Sequence, residues 1–226
     1  MRNKIYTIIF IPILSACANN TPIDDYSHYL RNRNIPAPTI KHFPHCYDYG
    51  CKTIKIVSLS KDSWHKLDDL FLSPSQNAKE ERKRISKAVQ IFETNIGKQT
   101  GTSADLKGTF KPFTREKNKP LRFQQDCVDE STNTTIYLSV LQQKSWLKFH
   151  RVTQPQSRQP LMGGNRWWHQ SATIREIDTN QQYAVDSWFE DNGVPAHIVK
   201  IGDWFNNWKP SNTVKKLDIA KNHNSA

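Results

Sequence analysis

Apolar residues recur at helical spacing through residues 79–97, where Ile85, Ala88, Val89, Phe92 and Ile96 fall on one face. This pattern predicts the strongest helix of the chain, with Gly97 as its C-terminal stop. Upstream, the β-branched run "TIKIVSL" (53–59) predicts a strand, and "DSWHKLDDLFL" follows it with Trp64, Leu67 and Phe71 at helical spacing. From Lys98 to Arg122, Gly, Pro and Lys interrupt every period, so a long loop is expected there. "DCVDESTNTTIYLSVL" then predicts another helix. Asp126 suits the N-cap, Asp129 and Glu130 the first turn, and Ile136/Val140 and Tyr137/Leu141 pair at i, i+4. Three strands are predicted beyond it, at 146–153 ("WLKFHRVT"), in "RWWHQSATIREID" and at 183–189 ("YAVDSWF"). A loop with Gly163 and Gly164 separates the first two, and a turn at 180–182 the last two. The fold class expected from this order is α+β, with helices packed on an antiparallel sheet.

The two ends have a different character. Arg2 and Lys4 precede an apolar run from Ile5 to Leu14, far too short to cross a bilayer as a permanent helix. The run closes in Leu14-Ser15-Ala16-Cys17, which closely resembles the bacterial lipobox. The resemblance implies removal of residues 1–16 and acylation of Cys17, hence a membrane partner held through N-terminal lipid. Ala18 is not the aspartate that commonly retains lipoproteins in the inner membrane, which favours the outer membrane facing the periplasm. Residues 17–45, with Pro22, Pro36, Pro38 and Pro44, are expected as a tether, 46–208 as the folded domain and 209–226 as a flexible tail.

The formal net charge is +11. The run "KEERKRISK" is expected as a solvated helix face, and the excess of basic residues suits adhesion to anionic headgroups or envelope polymers. No nucleic-acid recognition motif occurs, and nothing marks a cofactor.

Four cysteines sharpen the picture. The lipobox resemblance assigns Cys17 to lipid, and Cys46 and Cys51 in "HCYDYGCK" form a local pair suited to a disulfide in an oxidising compartment. A zinc set of His42, His45, Cys46 and Cys51 competes, but its spacing matches no familiar ligand framework. Cys127 is left over, either as a small buried apolar residue or as a reactive thiol. Its place in a first helical turn puts it among backbone N–H groups that lower a thiol's pKa and can hold an oxyanion. Asp126, Asp129 and Glu130 oppose the thiolate, so a cationic partner, most plausibly histidine, is required.

Cysteine at a helix start, histidine on one strand and Asp-x-Trp on the next resemble the transglutaminase-like superfamily. The pieces are "QDCVDES", "WWHQSATI" and "YAVDSWF", and the nearest likeness is to the bacterial transglutaminase-like cysteine proteinases. The resemblance implies a papain-like core with Cys127 as nucleophile, His169 as base and Asp186 as the residue orienting the imidazole. It also implies an oxyanion site at the Cys127 N–H, with Gln124 or Gln125 assisting, and a protein or peptide substrate in the envelope. Amide acyl transfer through a thioester is the expected reaction, resolved by water in a peptidase or amidase and by an amine in a transglutaminase. The rival is a non-catalytic lipoprotein that uses the same fold to bind a peptide or envelope protein. His150 and His197 compete as base and Asp203 as acid, while Trp64, Trp146, Trp188 and Trp204 are expected in core or cleft walls.

Substitution of Cys17 by serine is expected to release the protein from membranes and to block removal of residues 1–16. Membrane fractionation and N-terminal sequencing check this, and unchanged fractionation and processing would defeat the lipobox reading.

Overall fold

The computed structural model describes residues 25–111, 115–117, 119–159 and 168–211. The expected signal segment, Cys17, the Gly163–Gly164 loop and residues 212–226 of the expected tail lie outside the described residues. In chain order the elements are α1 (Tyr26–Asn32), β1 (Phe43–Tyr47), β2 (Thr53–Val57), α2 (Lys61–Leu70), α3 (Ala78–Thr100), a 3₁₀ turn (Thr102–Ala104), β3 (Arg115–Glu116) and β4 (Lys119–Pro120). They continue with α4 (Cys127–Gln143), β5 (His150–Arg158), β6 (His169–Glu176), β7 (Gln182–Asp186), β8 (His197–Lys200) and α5 (Ile201–Phe205). The sheet β5-β6-β7-β8 is antiparallel throughout, and β1-β2 and β3-β4 are separate antiparallel pairs. The α+β class holds.

Helix α3 forms where its apolar spacing predicts, capped by Asn77 Oδ1, which accepts the Glu80 N–H at 2.9 Å. Its buried stripe includes Ile85, Ala88, Val89, Phe92 and Ile96. Gly97 is not its stop. The helix runs on to Thr100 and ends at Gly101, whose left-handed backbone (φ 89°) suits glycine. Gly97 serves a close approach instead, since a Cβ there would lie 2.9 Å from Asn192 Nδ2 and 3.1 Å from the Ser103 nitrogen.

Helix α4 has no solvent face, because every residue from Cys127 to Leu141 is buried. It packs against β5 and β6 on one side and β1 on another, with α3 and β7 adjoining. A helix enclosed on all sides carries no amphipathic stripe, and its polar residues need partners from neighbouring elements. Asn133 supplies one such link: its Oδ1 accepts the Cys46 N–H at 2.7 Å and its Nδ2 donates to the Cys46 carbonyl at 2.8 Å. The Tyr29 hydroxyl lies 2.9 Å from Thr132 Oγ1, and Thr134 Oγ1 lies 3.2 Å from Ser187 Oγ. The lower core is aromatic, with Phe92 stacked on Tyr137 (4.7 Å) and Phe43 edge-on to both.

Other boundaries differ from expectation for local reasons. Residues 25–45 are not a free tether: Asp25 caps α1, and Leu30, Ile35 and Phe43 join the core. The strand expected from Trp146 begins at His150, because the chain first turns through Ser145 (φ 56°) and stacks Trp146 on Phe71 at 5.0 Å. The strand expected to reach Phe189 stops at Asp186, where the Glu190 N–H closes a turn onto the Ser187 carbonyl. Strand β8 and helix α5 were not predicted. Their short segments carry too few residues to establish a period, and pairing with β7 defines the strand.

Cys46 and Cys51 form a disulfide with Cα atoms 4.6 Å apart, and Cys127 is a free, buried thiol. Non-reducing peptide mapping is expected to recover the Cys46–Cys51 link with Cys127 unbridged. Asn133→Ala strands a buried N–H and a buried carbonyl of Cys46, and is expected to cost about 2–3 kcal/mol in urea denaturation.

Candidate active site

The first turn of α4 is fixed from outside the helix. Asp126 Oδ1 accepts from the N–H groups of Val128 (3.0 Å) and Asp129 (3.1 Å), while Asp129 Oδ2 accepts from the Asp126 N–H (3.1 Å), a reciprocal capping box. The disulfide loop clasps the same carboxylates. Asp48, Tyr49, Gly50 and Cys51 all have positive φ (67°, 69°, 76° and 58°), a left-handed turn that points successive N–H groups inward. Tyr49 and Cys51 donate to Asp129 at 2.8 and 2.5 Å, and Gly50 donates to Asp126 at 3.1 Å. The bond between Cys46 and Cys51 thus closes a loop whose backbone positions the residues flanking Cys127.

Cys127 is the first residue of α4 and only 3% exposed. Burial pushes its thiol up to about 12; the Gln170 backbone N–H on the sulfur lowers it, while Asp126, Asp186 and Asp129 raise it further. Burial and the three carboxylates outweigh the helix N-terminus, so the resting group is a neutral thiol.

Gln170 directly follows His169, the first residue of β6. His169 Nε2 donates to Asp186 Oδ2 at 2.7 Å from the end of β7, and the same oxygen accepts from Trp204 Nε1 at 2.7 Å. His169 Nδ1 is buried without a hydrogen-bond partner among the described residues. With Nε2 carrying the hydrogen, Nδ1 presents a basic lone pair, the form suited to accepting a proton. Aromatic rings surround the imidazole: Trp188 at 4.6 Å, Phe189 at 5.1 Å and Trp204 at 5.6 Å. Arg158, opposite His169 in the β5–β6 register, donates to the Trp204 carbonyl at 2.6 Å and lies 4.7 Å from its indole ring. The sequence signalled Trp204 only as a wall residue, and gave no sign of Arg158. Their roles depend on α5 folding back over β7.

The rival residues are engaged elsewhere. His150 Nδ1 pairs with Glu81 at 2.8 Å and its Nε2 meets Arg82 at 3.1 Å, a network tying α3 to β5. His197 pairs with Glu190 at 2.7 Å, and Asp203 is exposed in α5. Trp64 and Trp146 lie 6.3 Å apart in a separate aromatic cluster with Phe71.

The two glutamines are buried, and their described contacts hold neighbouring structure. Gln124 Nε2 donates to the Ala104 carbonyl at 3.1 Å and its Oε1 accepts from the Leu106 N–H at 3.2 Å. Gln125 Nε2 donates to Glu130 Oε1. The four-residue zinc set is not assembled: the two sulfurs are bonded to each other, and His45 bonds Tyr137 through Nδ1 at 2.9 Å. Burial depresses His45 to about 3. Asp129 approaches the two sulfurs, but its oxygens receive backbone N–H groups.

Compared with known proteins, the chain matches no family model, no curated protein and no solved structure.

Proposed function

We propose that this chain is an envelope lipoprotein with a transglutaminase-like, papain-like core, whose Cys127, His169 and Asp186 transfer acyl groups from amides through a thioester. The observation that carries the reading is the buried His169–Asp186 pair, which keeps the hydrogen on Nε2 and leaves Nδ1 with no hydrogen-bond partner among the described residues, Cys127 included, while the N–H of the next residue engages the Cys127 sulfur. The order of the three motifs supports the same reading.

In the proposed cycle, His169 Nδ1 takes the proton from Cys127 Sγ as the sulfur attacks the amide carbonyl. The carbonyl π electrons move to oxygen, where the Cys127 N–H donates to the oxyanion. The imidazolium, held by Asp186, protonates the leaving nitrogen as the C–N bond breaks, giving a thioester and an amine. Water or a second amine, deprotonated by the same imidazole, then attacks the thioester and restores the thiol. Water makes the enzyme a peptidase or amidase; an amine makes it a transglutaminase. Lipid on Cys17 would hold the site at the periplasmic face of the outer membrane, within reach of peptide or protein substrates there.

A binding role without catalysis is the second reading, and the burial of Cys127 favours it. Alkylation separates the two. For a thiol near 12, reaction at neutral pH depends on proton transfer to His169, so the wild-type rate should already be high near pH 7. His169→Ala is expected to lower iodoacetamide modification of Cys127 at pH 7 by at least about tenfold and to leave a rate that climbs only in strong alkali. Asp186→Asn should act less completely, by disturbing the ring's orientation. Circular dichroism should show both variants folded. An unchanged rate and pH profile in His169→Ala would remove the activated thiol and leave the binding reading.

A further inference from the structure

Directly behind the candidate site lie three carboxyl groups that the proposed cycle does not use. Glu93 of α3, Asp105 after the 3₁₀ turn and Glu130 of α4 are all buried. Their described partners are uncharged donors or one another. Glu130 Oε2 accepts from Ser187 Oγ at 2.5 Å, and Glu130 Oε1 accepts from Gln125 Nε2. The Gln125 backbone N–H donates to Asp105 Oδ1 at 2.8 Å, and the Asp105 and Glu130 carboxyls also bond each other. Glu93 Oε2 accepts from the Gly193 N–H at 3.1 Å, while Glu93 Oε1 is buried without a hydrogen-bond partner among the described residues.

Two buried carboxylates that share a hydrogen bond need a proton between them, because neither oxygen can otherwise donate and no ion pair to either is formed among the described residues. The groups facing this pair add negative charge: Glu93 from α3 acts on Asp105 and Glu130 is felt by Glu93, while Asp186 from β7 acts on Glu130. Burial is the largest cause for each of the three, and all three are pushed up. The bridge also has a definite position. Gln125 and Glu130 flank Cys127 along the chain, and Ser187 follows Asp186.

We propose that Asp105 stays protonated and donates to Glu130, and that this acid pair, through Gln125 and Ser187, is a positioning device setting the Cys127 helix start against the His169–Asp186 pair. The device rests on the acyl-transfer reading for its consequence, but not for its existence. Asp105 Oδ2–H donates to a Glu130 carboxylate that keeps its bonds from Ser187 and Gln125. Losing the proton places two charges in contact and weakens the link between α4 and the end of β7. Since the folded acid holds its proton more tightly than the unfolded one, stability is full below the ordinary carboxylate range. It falls as pH rises towards the folded value.

Asp105→Asn supplies a permanent donor with the same shape, and Asp105→Ala removes the bridge. Thermal melting and iodoacetamide modification of Cys127 in the full chain, from pH 5 to pH 9, test the proposal. The wild type should lose melting temperature steadily across this range. Asp105→Asn should fall less steeply, melt above wild type at pH 8–9, and keep the wild-type alkylation rate at pH 7. Asp105→Ala should melt lower throughout and react at least about fivefold more slowly at pH 7, where circular dichroism shows it folded. Parallel melting curves for wild type and Asp105→Asn overturn the shared proton. The expected melting pattern with an unchanged Asp105→Ala rate overturns the positioning role. His169→Ala, run alongside, reports on the acyl-transfer reading alone, so its failure is distinct from either result.

Discussion

The enclosure of α4 is the constraint on which the other features depend. A helix with no solvent face must find partners for side chains and for the free N–H groups of its first turn entirely within the protein. Asp126 and Asp129 satisfy their own turn and also accept N–H groups from the disulfide loop, so one pair of carboxylates joins helix start to β-hairpin. Asn133 repeats the joining one turn and more along, at Cys46. The left-handed run at 48–51 is costly for residues other than glycine, and the disulfide beside it limits the alternatives open to the unfolded loop. Cys127 inherits its place from these contacts.

Electrostatics follow from the same burial. Burial, reinforced by neighbouring carboxylates, pushes the carboxyl groups behind Cys127 towards their neutral form and keeps the thiol protonated at rest. In the proposed acyl-transfer cycle, an ion pair between Cys127 and His169 would arise through proton transfer inside the site. Asp186 would stabilise the resulting imidazolium at a distance of one hydrogen bond, while Trp204 holds the shared oxygen in place.

Two buried histidine–carboxylate pairs make an instructive contrast. In the Glu81–His150 pair both ring nitrogens are occupied, with Arg82 on Nε2, and Glu81 also accepts backbone N–H groups from Lys148 and Phe149. That arrangement fastens α3 to the start of β5 and leaves no lone pair to take a proton. In the Asp186–His169 pair one nitrogen has no hydrogen-bond partner among the described residues, and the surroundings are aromatic. The same pairing of histidine and carboxylate thus stands in two different hydrogen-bonding environments.

The sequence by itself determined what is periodic or locally capped. Helix α3 followed from its apolar stripe, the start of α4 from Asp126 and the acidic first turn, and the Cys46–Cys51 link from spacing and count. Cys127, His169 and Asp186 were singled out by residue type and order, and the structure places each at one end of its element. Only the tertiary structure decided how α1, Ile35 and Phe43 join the core, since isolated apolar residues among prolines carry no period. It also decided the packing role of Gly97, the return of Trp204 onto Asp186, and the meeting of Asp105 with Glu130. These contacts join residues far apart in the chain, and one sequence without periodicity has no signal for which distant groups will meet. Above all, burial was decided there: it is the largest cause that pushes the Cys127 thiol up to about 12 despite its place at a helix start.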